Sequence, residues 1–105
     1  MKFVCILTTV PSLVSARKLS RALLKQKLAA CVSLIPMIES HYSWKGKMQK
    51  SREVQLVIKT RDSLFKSVES FFKKNHPYDV PEIIGLPVQK ASLAYADWLI
   101  AVTKS

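Results

Sequence analysis

Runs of apolar and β-branched residues alternate along the chain with segments in which apolar residues recur at helical spacing. The run KFVCILTTV ends at Pro11 and is typical of a β-strand. Apolar positions then recur with a helical period, which predicts an amphipathic helix that Ser12 caps and that extends to about Lys27. The first part of the chain therefore predicts a strand followed by a helix.

The rest of the chain predicts further strands and helices. LAACVSLIPMIESHYSW predicts a long strand that bends at Pro36, KGKMQKSR predicts a connection that contains Gly46, and EVQLVIKTR predicts the next strand. Asp62 is the expected N-cap of a helix that reaches about Asn75. The run EIIGLPV, which follows one proline and contains another, predicts a fourth strand, and Ser92 is expected to begin a short final helix.

This order of elements predicts an α+β fold, namely a ferredoxin-like βαββαβ sandwich with an extra C-terminal helix. In such a fold both main helices lie on one face of an antiparallel sheet. We expect residues 1–105 to form a single domain, because 105 residues are enough for one hydrophobic core and too few for two.

The first and fourth predicted strands are apolar on both faces. In the first strand Phe3, Cys5 and Leu7 share one face, and Val4 and Ile6 share the other. Helices on one side of a sheet cannot cover both faces, so the second face needs cover from another chain. The pattern therefore predicts an oligomer.

Charge raises the question of an anionic partner. The chain carries 17 Lys and Arg against 7 Asp and Glu, a net charge of +10. Such an excess favours an anionic partner or simply gives a solvated basic surface. The third predicted strand has no aromatic residue on which bases could stack, and the usual RNA-recognition motif is absent. We expect no specific nucleic-acid binding; weak, salt-dependent, non-specific binding is an alternative hypothesis.

The composition favours a cytoplasmic, non-catalytic protein. No apolar run approaches the roughly 18 residues that span a bilayer, and Thr8 and Pro11 interrupt the N-terminal apolar stretch that a secretory signal would need. Cys5 and Cys31 form no C-x-x-C pair and are expected to be reduced, buried thiols. The chain has no Gly-rich phosphate loop and no nucleophile with a base at a known spacing, so an enzyme is not expected.

Several segments in register resemble the CutA family of divalent-cation tolerance proteins, and together they cover essentially the whole chain. The segments are KLAACVSLIP, SHYSWKGK, EVQLVIKT, HPYDVPEIIGLPV and YADWL. The resemblance implies a ferredoxin-like protomer that assembles as a homotrimer, with the sheets toward the three-fold axis and the helices outside. It also implies a role in the tolerance of, and response to, divalent metal ions such as copper.

The resemblance further implies a cleft between neighbouring subunits. Carried over to this chain, its residues are Trp44, Glu53, Lys59, Tyr78 and Glu82. One hypothesis is a satisfied polar network that fixes the geometry of the trimer. The other is a ligand site of a signalling or scaffold protein similar to the PII proteins, for which the positive charge of the chain favours a small anionic ligand.

Metal binding is expected to be weak. Copper-binding members of the family use a cysteine near the end of the first strand and two histidines before Pro-Tyr, and this chain has Thr8, Asn75 and His76 there. His76 is therefore the one remaining candidate ligand for copper or another divalent metal. Ser33 stands where the family usually has Asn, and Met37 stands where it usually has Gly. For Met37 we expect no left-handed backbone.

Overall fold

The structure is a computed structural model that describes residues 1–105. A short 3₁₀ turn at Asp62–Leu64 precedes the second helix. The strands and helices follow the predicted order: β1 (Phe3–Val10), α1 (Leu13–Lys25), β2 (Cys31–Trp44), β3 (Lys47–Arg61), α2 (Phe65–Asn75), β4 (Ile84–Val88) and α3 (Leu93–Val102). The predicted α+β fold, with a four-stranded antiparallel sheet and three helices, is confirmed.

The sheet has the strand order β2-β3-β1-β4, and all neighbouring strands are antiparallel. Alternate residues of β1 and β3 point to one side, where they pack against the apolar stripes of α1 and α2 in a cluster of 15 buried residues. Ile6, Leu56 and Ile58 in the strands and Leu23 and Phe72 in the helices have almost no exposed surface. Each such side chain contributes about 1.5–3 kcal/mol by its burial, so this cluster is the main source of stability.

The predicted cap at Ser12 and the predicted helix start at Ser92 are confirmed. The Ser12 hydroxyl accepts the backbone N–H of Ser15 at 3.1 Å, and the Ser92 hydroxyl accepts that of Tyr95 at 3.3 Å. The prediction for Asp62 is wrong, because Asp62 begins the 3₁₀ turn and α2 starts later, without a side-chain cap. The change from the 3₁₀ turn to the α-helix supplies backbone partners for the first turn, so a side-chain cap is dispensable there.

The predicted connection KGKMQKSR is mostly strand. Lys45 and Gly46 alone form the turn, with φ angles of 52° and 76°, and β3 begins at Lys47. Positive φ at both central residues is the geometry of a type I′ hairpin turn, which suits the right-handed twist of the flanking strands. Residues 47–52, which are polar except for Met48, become strand because β2 offers a complete ladder of backbone partners, as far as the Trp44–Lys47 pair.

The predicted bend at Pro36 is confirmed, whereas the expectation for Met37 is wrong. Pairing with β3 is regular up to Ile35 and resumes at Ile38, so Pro36 and Met37 lie opposite the single residue Val54. This β-bulge gives Met37 a φ of 61°, in the left-handed region. The ladders on both sides impose this conformation on a residue with a Cβ, at a cost of about 1–2 kcal/mol.

Helix α3 lies apart from the main core and is held by a buried arginine at the end of β3. The Arg61 guanidinium donates to the Thr103 hydroxyl at 2.8 Å and to the Ile100 carbonyl at 2.6 Å. A cation is favoured at this end of a helix because the last carbonyl groups carry partial negative charge. Neither this helix nor the others is long and apolar enough to cross a membrane.

The sheet face opposite α1 and α2 carries apolar side chains that the protomer leaves partly uncovered. In register across the sheet, Leu7 lies between Val57 and Ile84, and Cys5 lies beside Leu86. We call these five residues the open face. Ile84 and Leu86 remain 48% and 47% exposed. Cys5, like Cys31, is a free thiol, but each is half-buried rather than buried as expected, because both lie on this uncovered side of the sheet.

Replacing Met37 with glycine should stabilise the protein. The Met37 side chain is 73% exposed, so little packing is lost, while the strain of positive φ is removed. After subtracting the larger unfolded-state entropy of glycine, we expect the free energy of unfolding to rise by roughly 0.5–1 kcal/mol. Urea denaturation at matched protein concentration measures this change. Met48→Gly, at an exposed strand position without positive φ, is the control and should lower stability; equal losses in both variants would show that Met37 is unstrained.

Candidate functional site

A cavity of about 950 Å³ lies between the outer half of the β2–β3 hairpin and the segment that leads into β4. We call it the hairpin cleft. The residues that line it are Thr9, Ser40, His41, Tyr42, Trp44, Gln49, Ser51, Glu53, Pro77, Tyr78, Asp79, Val80 and Glu82.

One face of the hairpin forms one wall of the hairpin cleft. Gln49, Ser51 and Glu53 are alternate residues of β3 and therefore point the same way. Opposite them on β2, Tyr42 pairs with Gln49 and Ser40 pairs with Ser51, and paired residues share a face. In this outer part of the hairpin, the side chains on one face of the two strands therefore line the cleft. Nearer the sheet centre, one face of the strands packs in the core and the other forms the open face.

The other wall is the segment between Pro77 and Glu82, which two side-chain hydrogen bonds tie to β3. The Tyr78 hydroxyl donates to the Glu53 carboxylate at 2.8 Å, and the Gln55 amide donates to the Glu82 carboxylate at 3.3 Å. The same Gln55 amide donates to the Thr8 carbonyl at 2.9 Å. The chain bends over residues 77–80, and Pro77 and Pro81 fix φ on either side, which restricts the backbone that presents these side chains to β3.

Glu53 is the most deeply buried acidic residue of the cleft, only 7% exposed. A buried carboxylate requires a hydrogen-bond donor, and Tyr78 supplies it. Burial, and then the hydrogen bond and charge of Glu53, raise the pKa of the Tyr78 hydroxyl well above its ordinary value. Tyr78 therefore stays protonated and remains a donor to Glu53 throughout the physiological pH range.

Four of the five residues expected in a cleft lie together, and Lys59 does not. Trp44, Glu53, Tyr78 and Glu82 line the hairpin cleft. The Lys59 ammonium group instead donates to the Ser33 hydroxyl at 2.5 Å and lies 3.8 Å from the Cys31 sulfur. Lys59 lies six positions beyond Glu53 along β3, a distance of about 20 Å, so within one protomer the lysine belongs to a different part of the sheet.

The charge of the hairpin cleft is unsuited to the small anionic ligand that we expected. Glu53, Asp79 and Glu82 line the cleft, and no Lys or Arg does. The expectation depended on the net charge of the chain and on Lys59. The net charge does not reflect the local charge of the cleft, and Lys59 does not line it. The anionic-ligand hypothesis is therefore not supported.

Several residues of the hairpin cleft were not predicted from the sequence. Tyr42, Ser51 and Asp79 line it, although none was among the expected site residues. Alternation with Trp44 and with Glu53 was a signal for the first two, because residues two apart on a strand share a face. For Ser51 this alternation is hidden by the prediction that residues 47–52 form a connection rather than a strand.

His76 lies beside Thr8, as the resemblance implies, but both of its ring nitrogens are engaged. The backbone N–H of Tyr78 donates to Nδ1 at 3.1 Å, so the ring proton is on Nε2, which lies 3.0 Å from the Thr8 hydroxyl oxygen. Burial lowers the pKa of His76 below 6.5, against raising effects of the Thr9 backbone and of the Glu53 charge. His76 is therefore a neutral ring without a free lone pair for a metal.

The neighbouring positions do not complete a metal site. The Asn75 amide donates to the Phe71 carbonyl at 2.8 Å and so is turned back onto its own helix. His41 is exposed and forms its contact with Glu39, at 2.7 Å. No group of three or more His, Cys, Asp or Glu side chains in the chain could hold a metal ion. These residues do not fit a resident copper ion of the kind that the resemblance implies.

Residues 4–102 match the family described as CutA1 divalent ion tolerance protein. The chain therefore belongs to the CutA1 family, as its sequence segments indicated.

Individual relatives agree with this assignment along most of the chain. It is 44% identical over 96 residues to "Protein CutA 1, chloroplastic" of Oryza sativa subsp. japonica, which covers 91% of this chain and 54% of the relative. It is 43% identical over 97 residues to "Protein CutA" of Homo sapiens, and the match covers 92% of this chain and 54% of the human protein. The chain thus spans about half the length of these relatives. With "Divalent-cation tolerance protein CutA" of Thermus thermophilus it is 40% identical over 94 residues, with 90% and 91% covered.

Solved structures show the same fold. The crystal structure of CutA1 from Oryza sativa has a TM-score of 0.96 at 41% identity and covers 99% of this chain and 95% of that one. CutA1 from Thermus thermophilus has a TM-score of 0.94 at 38% identity, with 97% and 99% covered. The names of the Thermus thermophilus relative and structure describe a divalent-cation tolerance protein rather than an enzyme.

The lowered pKa of His76 should make stability depend on pH. Because the folded-state pKa lies below the unfolded value of 6.5, the unfolded state binds a proton more readily, and the free energy of unfolding falls as pH decreases below about 6.5. Thermal melts between about pH 7.5 and pH 5 should show a steeper loss for the wild type than for His76→Gln.

The exposed residue His41 provides the matched control for this measurement. His41→Gln makes the same substitution at an exposed histidine, and its pH profile is compared with that of His76→Gln. A profile that flattens in His41→Gln, and not in His76→Gln, would contradict the assignment of the proton-linked stability to His76.

Proposed function

We propose that the protein acts in the tolerance of divalent cations as a non-catalytic homotrimer in the cytoplasm. Agreement with the CutA1 family over residues 4–102 carries this proposal. In this proposal residues 1–105 form one ferredoxin-like domain, for which the strand order β2-β3-β1-β4 and the packing of α1 and α2 on one face are the support. Cysteines without a disulfide favour a reducing compartment.

The open face supports the assembly into a trimer. Ile84 and Leu86 are about half exposed there, and Tyr95 and Trp98 of α3 are 40% and 42% exposed. Completing the burial of such side chains contributes roughly 1 kcal/mol each, so several per protomer favour association. Identical protomers that share one apolar face form a closed symmetric assembly, since closure leaves no face uncovered.

The hairpin cleft lies near the subunit seam in this proposal. Trp44, Glu53, Tyr78 and Glu82 belong to the cleft, and Lys59 is a seam residue on the same side of β3. Within the protomer, the Tyr78 hydroxyl donates a hydrogen bond to the Glu53 carboxylate, so neither group lacks a partner. A structural role in positioning the seam and a role in binding a ligand both remain compatible with this geometry.

Metal tolerance in this proposal does not depend on copper held at His76. Its two nitrogens are engaged, Thr8 offers a hydroxyl and Asn75 is directed away. Copper prefers sulfur or imidazole ligands, and several must converge for tight binding. Any binding at this position is therefore weak, and the tolerance function is carried by another property of the assembly.

Sedimentation should show a trimer at micromolar concentration. Leu86→Glu places a charge on the open face and should dissociate the assembly, because an unpaired carboxylate is costly to bury at an interface. Leu24→Glu is the matched control, since Leu24 on α1 is 43% exposed, close to the 47% of Leu86, but lies away from the open face. A folded wild-type monomer, or equal dissociation by both variants, would refute the assembly through this face.

Calorimetric titration with Cu²⁺ and Zn²⁺ should give weak binding that His76→Ala leaves unchanged. The double variant Thr8→Cys with Asn75→His restores the ligand set that the family resemblance implies, and it should bind Cu²⁺ more tightly than the wild type. A sub-micromolar site in the wild type that His76→Ala abolishes would overturn the expectation. His41→Ala controls for adventitious binding by the exposed histidine.

A further inference from the structure

The hairpin cleft has a charge opposite to that of the chain as a whole. The chain carries 17 Lys and Arg, yet the cleft contains none of them and contains Glu53, Asp79 and Glu82. The only salt bridge in the structure joins His41 to Glu39, so no lysine or arginine neutralises these carboxylates. Their negative charge remains available to a ligand, which must be cationic to be attracted.

The arrangement of the carboxylates favours an extended cation over a single metal ion. Glu53 is held by Tyr78 and Glu82 by Gln55, at separate points along β3. They line one cavity, but they do not form a group that could hold a metal ion. A linear ligand with separated ammonium groups matches this arrangement, because each ammonium group donates to its own carboxylate and the two carboxylates need no common centre.

The remaining features of the cleft suit the hydrocarbon part and the donors of such a ligand. Tyr42 and Trp44 are 46% and 45% exposed on the hairpin wall, where they can contact methylene groups and attract a cation to their ring faces. Ser51 lines the cleft, and its hydroxyl oxygen is buried without a hydrogen-bond partner. A buried hydroxyl oxygen without a partner is an acceptor that an ammonium group can satisfy.

We propose that the hairpin cleft binds a linear aliphatic diamine or polyamine. Its ammonium groups donate to Glu53 and Glu82, and its methylene chain lies against Tyr42 and Trp44. The inference rests on the proposed function in one respect: the cleft must stay accessible in the assembled protein. A lysine side chain from a second copy has the same alkylammonium chemistry, and the experiment separates these two sources.

Calorimetric titration of the full chain with spermidine tests the proposal. We expect saturable binding, one molecule for each protomer, that weakens as sodium chloride is added because the attraction is electrostatic. Glu82→Gln keeps the shape of the side chain and removes its charge, and it should weaken binding about tenfold. Glu69→Gln makes the same change at an exposed position on α2 and should leave the affinity unchanged.

Several outcomes would overturn the proposal. They are the absence of saturable binding, an equal effect of Glu82→Gln and Glu69→Gln, and displacement of spermidine by stoichiometric Mg²⁺. If a lysine of a second copy fills the cleft, spermidine will not bind the assembly and Glu82→Gln will dissociate it in sedimentation, which also overturns the proposal. Spermidine binding with the expected Glu82 dependence in a protein that sediments as a monomer would support the inference while refuting the proposed trimer.

Discussion

Strands β1 and β2 take their positions from β3, because residues 54–61 of β3 pair with β1 on one edge and residues 47–59 pair with β2 on the other, and β4 in turn pairs with β1. Its side chains point into three different environments. Leu56 and Ile58 enter the core beneath α1 and α2, Val57 faces the open side, and Glu53 reaches the hairpin cleft. One strand thus sets the relative position of the core, the uncovered face and the candidate site, and a shift of its register by one residue would exchange their side chains.

The proline-containing segment before β4 combines packing with polar recognition. Pro77 and Pro81 restrict the backbone, and the hydrogen bonds from Tyr78 to Glu53 and from Gln55 to Glu82 fasten the segment to β3. These bonds satisfy carboxylates that would otherwise be costly to bury, yet each carboxylate retains further acceptor capacity. The segment is therefore both a structural support and one wall of a cavity with negative charge.

His76 shows how a family position can change its chemistry while the fold is retained. Its ring still lies next to β1. Thr8, however, offers a hydroxyl at the position where the family resemblance implies a cysteine ligand for copper, and the backbone N–H of Tyr78 donates to Nδ1 of the ring. The neutral, half-buried ring then joins Phe72 and Tyr78 in an aromatic contact. In this chain His76 contributes to packing and hydrogen bonding. The carboxylates that could attract a cation lie elsewhere, in the hairpin cleft.

Periodicity in the sequence determined the order of strands and helices, the cap at Ser12, the helix start at Ser92 and the bend at Pro36, because these depend on short-range patterns. It did not determine the extent of β3 or the left-handed backbone at Met37, because pairing with a partner strand imposed both. Four of the expected cleft residues follow from the family segments. Only the tertiary structure decided that Lys59 lies apart from them and that the cleft of a basic chain is negatively charged. The reason is that net charge describes the whole chain, whereas the charge of a site depends on which side chains the fold brings together.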